Sequence, residues 1–392
     1  MKYADDIVLI SSDPRDLQKM IDNLFEYCNR WQLKLNLAKS KVVIFSEKPV
    51  KVKQYKWSYG AERIEIVREY KYLGILLEGK NNYITHLKKK LKQSKSALAQ
   101  CYNGLVNCKI SNFKAKLRLF HAVSRSIMSY GSQIWGFKEY NEVEKLQRYF
   151  VKRVFKVPVN TTNYCVLGEL GLQPLICYTF KIQLGYIYKT LKLEQSRIPN
   201  RITDVCMKKN LGWAQFLRRL SIRNGLLRER DLLTADFIKE NFGVFTSLLM
   251  MEIKSKFEDR VNGAEKHLLY KSLKPSLEEP QGYFAECTYT ESLLIFKLRT
   301  ESFDVEARPY SGRQFVNCRV CHNGQPETVV HFLAECSFFS SIRNQVFKKG
   351  ILFQNEVIAL LNGEYTWKKL IGFMNKMIKA RNKKLKLGEF AM

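Results

Sequence analysis

The chain is expected to fold as an α+β protein that is predominantly helical. Three observations predict this. Short runs rich in β-branched and aromatic residues are confined to roughly the first eighty positions. Beyond them, apolar residues recur mostly at helical spacing. Near the C-terminus, three Cys and one His fall at intervals that suit a small tetrahedral metal module.

The first element is Tyr3-Ala4-Asp5-Asp6, followed at once by Ile7-Val8-Leu9-Ile10. This pattern predicts a tight hairpin carrying two carboxylates at its tip. Such a tip suits Mg²⁺, which takes oxygen ligands from one or two carboxylates plus substrate phosphates. Ordinary turn chemistry explains an Asp pair equally well. Asp13-Pro14 then predicts a helix start, with Asp as N-cap and Pro at the first helical position. Leu17, Met20, Ile21, Leu24, Phe25 and Cys28 supply its apolar stripe, and a break follows at Gln32. Val42-Val43-Ile44-Phe45 reads as a strand. Tyr70 to Leu76 reads as one more short strand, with Gly74 marking a bulge or a close backbone approach.

Taken in order, YADDIVLI, an amphipathic helix, LKLNLAKSKVVIF and YKYLGI resemble the second half of the palm of a reverse transcriptase from a non-LTR (LINE-type) retrotransposon. The resemblance implies an RNA-directed DNA polymerase that copies an RNA template from a DNA primer at a nicked target. It matches Asp5 and Asp6 to the metal-binding aspartates, and Tyr3 and Ala4 to positions beneath the primer terminus. Lys39 matches a lysine that approaches the phosphates of the incoming nucleotide. Tyr72, Leu73 and Gly74 match the primer grip. By residue type alone, Lys39 and Lys41 are a solvated turn, and Tyr72 and Leu73 are sheet core.

Nucleotide addition needs two Mg²⁺ ions that clamp the attacking and leaving oxygens. In the family, a third carboxylate from an earlier strand completes the site and basic fingers hold the triphosphate. Only Met1 and Lys2 precede Tyr3. The chain is therefore expected to be a fragment beginning at this motif and not to polymerise DNA alone. The alternative is a non-catalytic nucleic-acid-binding protein derived from such an element. A nuclease metal site would need further acids nearby.

Composition agrees with nucleic-acid partners. Over 392 residues, 66 Lys and Arg oppose 37 Asp and Glu, a net charge of +29 that favours polyanions. A hydrophobic content of 46% excludes a disordered chain. No apolar run approaches a membrane span and no secretory signal is evident, so no membrane partner is expected. An intracellular location follows, in the nucleus, the cytoplasm or both. Between Gly79 and Lys138 there are twelve Lys or Arg and no Asp or Glu. Lys88, Lys89, Lys90, Lys92 and Lys95 share one helix with Leu87, Leu91, Leu98 and Leu105. A second helix turns Phe113, Leu117, Phe120, Val123 and Ile127 inward, with Lys114, Lys116, Arg118 and Arg125 between them. This block follows the primer-grip match, where the resemblance places a thumb. Lys88, Lys89, Lys92 and Lys95 are thus candidates to hold template–primer phosphates, in a salt-dependent and sequence-indifferent way.

Gly168-Glu169-Leu170-Gly171-Leu172-Gln173-Pro174-Leu175 resembles the helical extension downstream of such thumbs. From Tyr178 to Leu298 the pattern stays helical, with loops expected at Pro199, around Pro275 and at Glu279–Gly282. Cys318, Cys321, His331 and Cys336 give C-x2-C-x9-H-x4-C, the spacing of a structural Zn²⁺ site. A free Cys-x-x-Cys beside an unrelated His is the alternative. The resemblance favours zinc, since LINE-type polymerases often end in such a module, and Arg313 and Arg319 are expected to keep it basic. Trp367, Leu370, Ile371, Met374, Met377 and Ile378 form the stripe of a last, basic helix. The expected organisation is a partial palm over 1–80, a basic helical thumb over 81–157, a helical extension over 158–310, and a zinc-knuckle module with a basic tail over 311–392. The sequence sets no oligomeric state.

Overall fold

The computed structural model describes residues 2–46, 55–79, 82–107, 113–154, 156–157, 161–273, 275–309 and 315–389. They form two compact units, Met1–Lys90 and Leu91–Met392.

In the first unit, β1 (Lys2–Tyr3) and β2 (Asp6–Ile7) pair antiparallel, with Tyr3 opposite Asp6. Ala4-Asp5 is thus a two-residue loop. Ala4 has φ +52°, the positive φ that matches a hairpin turn to strand twist. Helix α1 (Pro14–Arg30) starts as expected, with the Asp13 carboxylate accepting the Arg15 amide at 2.7 Å and the Asp16 amide at 3.3 Å. Its stripe buries Ile21 and Cys28, while Met20 stays exposed. Strand β3 (Lys41–Val43) follows, then the hairpin of β4 (Ser58–Tyr59) and β5 (Glu62–Arg63). Gln18 exchanges two hydrogen bonds with the Ser58 backbone, at 2.8 and 3.0 Å. The Trp57 indole donates to the Pro14 carbonyl at 3.0 Å. These bonds tie α1 to β4 over a core of Ile21, Trp57 and Ile64.

Strand β6 (Glu65–Val67) runs parallel to β3, with Lys41 opposite Glu65 and ion-paired to it at 2.7 Å. Lys41 is therefore a cross-strand partner and not a solvated turn residue. The stretch read as one strand broken by Gly74 is a hairpin of β7 (Glu69–Tyr72) and β8 (Ile75–Glu78). Leu73 (φ +44°) and Gly74 (φ +80°) both lie at positive φ, as a two-residue primed turn requires. Such turns usually announce themselves as Asn-Gly or Asp-Gly, and Leu-Gly does not. The described strands form four separate pairs, three antiparallel and one parallel, where a short antiparallel sheet was expected.

The rest is helical, as predicted: α2 (Ile84–Asn107), α3 (Phe113–Leu119), a π-helical turn over Phe120–Arg125, α4 (Ser126–Met128), α5 (Ser132–Trp135), α6 (Asn141–Val154), α7 (Asn163–Leu170) and α8 (Leu175–Leu191). Then come α9 (Ile198–Lys208), α10 (Trp213–Arg223), α11 (Ala235–Glu240), α12 (Phe242–Asn262), α13 (Leu268–Lys271), α14 (Tyr283–Glu286) and α15 (Tyr289–Arg299). A second π turn (His331–Glu335) and a 3₁₀ turn (Ser337–Phe339) precede α16 (Ser340–Phe347), α17 (Gln354–Leu361) and α18 (Trp367–Glu389). Pro199 sits in the first turn of α9, where its missing N–H costs nothing, and not in a loop.

The central helix α8 packs Phe180, Leu184 and Ile187 against Leu217, Ile238 and Phe245 of α10–α12. Its N-terminus is held by a buried carboxylate: Glu144 accepts the amides of Leu175 and Ile176 at 3.0 and 2.9 Å. Burial outweighs those bonds and raises the Glu144 carboxyl to about 7. A second buried carboxylate belongs to Glu169, which pairs with Arg299 at 2.7 Å, both side chains being fully buried. Tyr283 donates to the same Glu169 oxygen at 2.7 Å. Arg299 also donates to the carbonyls of Leu273 and Leu361 and to Gln281 and Asn362. Beside Glu169, a Cβ on Gly171 (φ +57°) would stand 2.2 Å from the Glu279 carbonyl carbon. The Gly-Glu-Leu-Gly stretch therefore lets distant segments meet around one ion pair.

Candidate metal centres and nucleic-acid surface

The hairpin turn presents Asp5 and Asp6 to solvent beside Ala4, also exposed. Asp5 occupies the loop and Asp6 opens β2. Tyr3 is described in its backbone only, which pairs with Asp6. Among the described residues, no third carboxylate, His or Cys joins the two aspartates in a metal-ready group. Two carboxylates are within what one Mg²⁺ uses when phosphates complete its shell.

Lys39 is exposed in the turn before β3, and its carbonyl accepts the Tyr70 hydroxyl at 2.7 Å. Tyr72 and Ile75 close the β7–β8 hairpin, and Leu73 projects at its tip, 39% exposed. Leu73 is therefore not sheet core. Of the candidate phosphate contacts on α2, Lys88 and Lys92 are exposed. Lys89 is paired with Glu69 at 2.7 Å, and Lys95 lies 4.6 Å from the centre of the Tyr149 ring.

The second basic helix departs from the expected pattern. Phe113, Lys116, Phe120, Ser124 and Met128 are buried while Leu117, Val123 and Ile127 are half-buried, and past Phe120 the π turn adds a residue that shifts the buried face. Lys116 is thus inside, its ammonium 3.6 Å from the centre of the Tyr289 ring. Arg125 stacks 3.9 Å over Tyr178. Among the described residues, four of the twelve cations, Lys95, Lys116, Arg125 and Lys138, make cation–π contacts within the chain, which a charge count does not reveal.

The C-terminal centre is far more complete. One ligand atom from each of Cys318, Cys321, His331 and Cys336 lies within 4.8 Å of all the others. Local backbone makes the set. His322 at φ +58° and Gly324 at φ +71° reverse the chain after Cys321, and the Cys318 amide bonds the Gln325 carbonyl at 2.8 Å. In the π turn, the Cys336 amide reaches back five residues to the His331 carbonyl at 2.8 Å. That closure sets His and Cys side by side, a wider turn than the α-helical one expected.

One of the sulfurs, that of Cys318, is prepared for charge. A hydrogen bond from Cys336 brings the Cys318 thiol to about 3 against the opposing effect of burial, and His331 and the amides of Cys321 and Val320 add to it. The same bond pushes Cys336 up, and burial adds to the rise. His331 is raised first by its bond to Cys318. Its Nε2 lies 3.5 Å from Cys321 Sγ, and its Nδ1 faces the Glu335 carboxylate at 3.6 Å, the outer partner that metal-binding His commonly has. Arg343, fully buried, donates to the Cys336 carbonyl at 2.6 Å and to the Gly350 carbonyl at 2.6 Å. The donor set fits a four-coordinate Zn²⁺ site with no open position. The nine described cysteines are all free thiols.

Two arginines were expected to keep the module basic. Arg313 lies outside the described residues, and Arg319 is paired with Glu306. On α18, the expected stripe is core except for half-buried Ile378, but Arg381 is bidentate to buried Glu327, with both bonds at 2.8 Å. Arg381 therefore anchors the helix, while Lys376, Lys379, Lys383 and Lys384 stay exposed. Among the described residues, no helix is long and apolar enough to cross a membrane.

Comparison with known proteins agrees with this geometry. Residues 1–77 match the family described as reverse transcriptase (RNA-dependent DNA polymerase). A transposon-derived protein of Caenorhabditis elegans is 29% identical over 142 residues, 36% of this chain and 49% of that protein. A Drosophila melanogaster protein described as an RNA-directed DNA polymerase from transposon BS is 28% identical over 180 residues, 43% of this chain and 20% of that protein. The chain thus spans about half the length of the first relative and a fifth of the second. No solved structure matches. With the aspartate hairpin, helix α1 and the Tyr72–Gly74 turn inside the matched segment, residues 1–77 belong to a reverse-transcriptase domain, in a chain related to transposon proteins.

Proposed function

We propose that the chain serves RNA-directed DNA synthesis by a LINE-type element, with Asp5 and Asp6 as carboxylates of the Mg²⁺ site. The carrying observation is the two-residue hairpin that exposes both aspartates within the segment matched to reverse transcriptases. In this reading Lys39 faces the incoming triphosphate and Tyr72, Leu73 and Gly74 hold the primer. Lys88 and Lys92, exposed on α2, contact template–primer phosphates as part of a thumb over 81–157, with Lys89 and Lys95 beside them. Bound Mg²⁺ would supply charge neutralisation at the transferred phosphate.

Because no third ligand joins Asp5 and Asp6 among the described residues, the chain by itself is expected to bind an RNA–DNA template–primer without extending it. A primer-extension assay with Mg²⁺ and an RNA template checks this, run beside duplex binding. Incorporation abolished by Asp5→Ala would show a complete site in this chain. Failure to bind the duplex at low salt would overturn the polymerase reading itself.

Cys318, Cys321, His331 and Cys336 would hold one structural Zn²⁺ in a module over 311–392. The support is four converging donors, with the Cys318 thiol held well below its usual range by its hydrogen bonds. Zinc near one per chain, lost on Cys318→Ser, is the expected result, and a folded protein free of zinc would end the assignment.

A further inference from the structure

A cleft of about 670 Å³ in the second unit is lined by Lys95, Lys145, Arg148, Lys152 and Arg260, with Tyr149, Tyr164 and residues 161–163. No acid lines it. Its floor comes from α6, where Lys145, Arg148, Tyr149 and Lys152 follow the i, i+3, i+4, i+7 steps of one helical face. One wall is the N-terminus of α7, an end that favours anions.

The residue at that end is not used to cap it. The Thr162 side chain makes no capping hydrogen bond to α7. Its hydroxyl donates to Cys165 Sγ at 3.1 Å and stands 3.3 Å from His267 Nε2. Next to it, Thr161 is 1% exposed, and its Oγ1 is buried without a hydrogen-bond partner where it lines the cleft. A buried hydroxyl without a partner carries a desolvation cost that a ligand oxygen in the cleft would relieve. Burial and then Arg148 hold the Lys152 ammonium below its usual range, a sign of cations crowded together.

We propose that this cleft binds the phosphate backbone of single-stranded nucleic acid. A volume of this size holds one or two nucleotides and not a duplex. The open face and the row of cations along α6 fit a strand that continues past the cleft, where a small anion would need only one or two of them. The site lies wholly within residues 91–392 and does not depend on Asp5 or Asp6, while it shares Lys95 and α6 with the proposed thumb.

The test is fluorescence anisotropy of the full chain with a labelled 12-nucleotide oligouridylate across a salt series. K145E combined with R148E is compared with K208E combined with K209E, two exposed lysines at the end of α9 that carry the same charge change. The cleft pair is expected to weaken binding at least about tenfold, and to lower the salt slope by about 1.4, at roughly 0.7 per lost phosphate contact on a single strand. The control pair should change affinity less than about threefold. Equal losses in both pairs, or none in the cleft pair, would overturn the proposal. So would displacement of the oligonucleotide by 10 mM inorganic phosphate at matched ionic strength, which would mark an isolated anion site. If circular dichroism shows that the reversed pair misfolds, K145A with R260A, both exposed, must give the same direction in affinity and slope. Template–primer duplex binding and primer extension, measured alongside, report on the polymerase reading separately.

Discussion

The two candidate metal centres are built in opposite ways. At the N-terminal hairpin, two carboxylates stand in solvent on a two-residue turn, and no third ligand joins them among the described residues. At the C-terminal centre, four donors converge, three of them on buried residues, and backbone amides already point at Cys318. The difference matches what the two proposed metals would need. Mg²⁺ keeps few protein ligands and takes the rest from substrate, so its site is left open. Structural Zn²⁺ replaces a hydrophobic core, so its site must be closed by the fold itself.

The largest expected effect therefore falls on the C-terminal centre. If the proposed Zn²⁺ is bound, removing it, or Cys318→Ser, should cost that region on the order of 10 kcal/mol. Hydrogen exchange should lose protection over residues 315–347 and keep it over α1. Protection unchanged at both would make the cluster a set of ordinary buried thiols.

A closed charged centre that needs no metal comes next. Glu169→Ala leaves Arg299 buried without its carboxylate, and should lower stability by about 3–5 kcal/mol in denaturant melts. The double change Glu169→Leu with Arg299→Met should cost much less, because both charges then leave the core.

Glu144 sharpens the contrast between buried and exposed carboxylates. Its folded value of about 7 lies above the usual 4.5, so between those values the folded state binds more protons than the unfolded one. Its contribution is fully present below about 4.5 and is lost as pH rises through about 7. Relative to Glu144→Gln, the wild-type chain should lose up to about 3 kcal/mol over that window. Urea melts at several pH values measure it, and a flat difference would place Glu144 in contact with water.

The smallest effect is expected at the hairpin. Asp5→Asn and Asp6→Asn should shift stability by no more than about 0.5 kcal/mol, because each side chain is exposed. A larger loss in thermal melts would mean that the aspartates serve the fold and not a bound metal.

Much of this was legible without coordinates. Asp13-Pro14 capped α1 where local chemistry said it would, and helical spacing held through the second unit. The Cys and His spacing led to four donors that do converge. Illegible features were those whose partner is remote. Glu169 and Arg299 are 130 residues apart, and nothing near either one names the other. Lys116 and Arg125 read as surface charge, yet each cation sits over a distant tyrosine ring, Tyr289 and Tyr178. Lys41 found Glu65 only through a parallel pairing that no local rule supplies.

The order of motifs in residues 1–77, the basic block and the metal-ligand spacing are properties of the sequence by itself. They rest on local backbone preference and on composition, which need no third dimension. Which cations face a polyanion and which brace the interior was decided only by tertiary packing. A lysine's role depends on the dielectric around it and on the partner within reach, and both are set by segments far away in the chain.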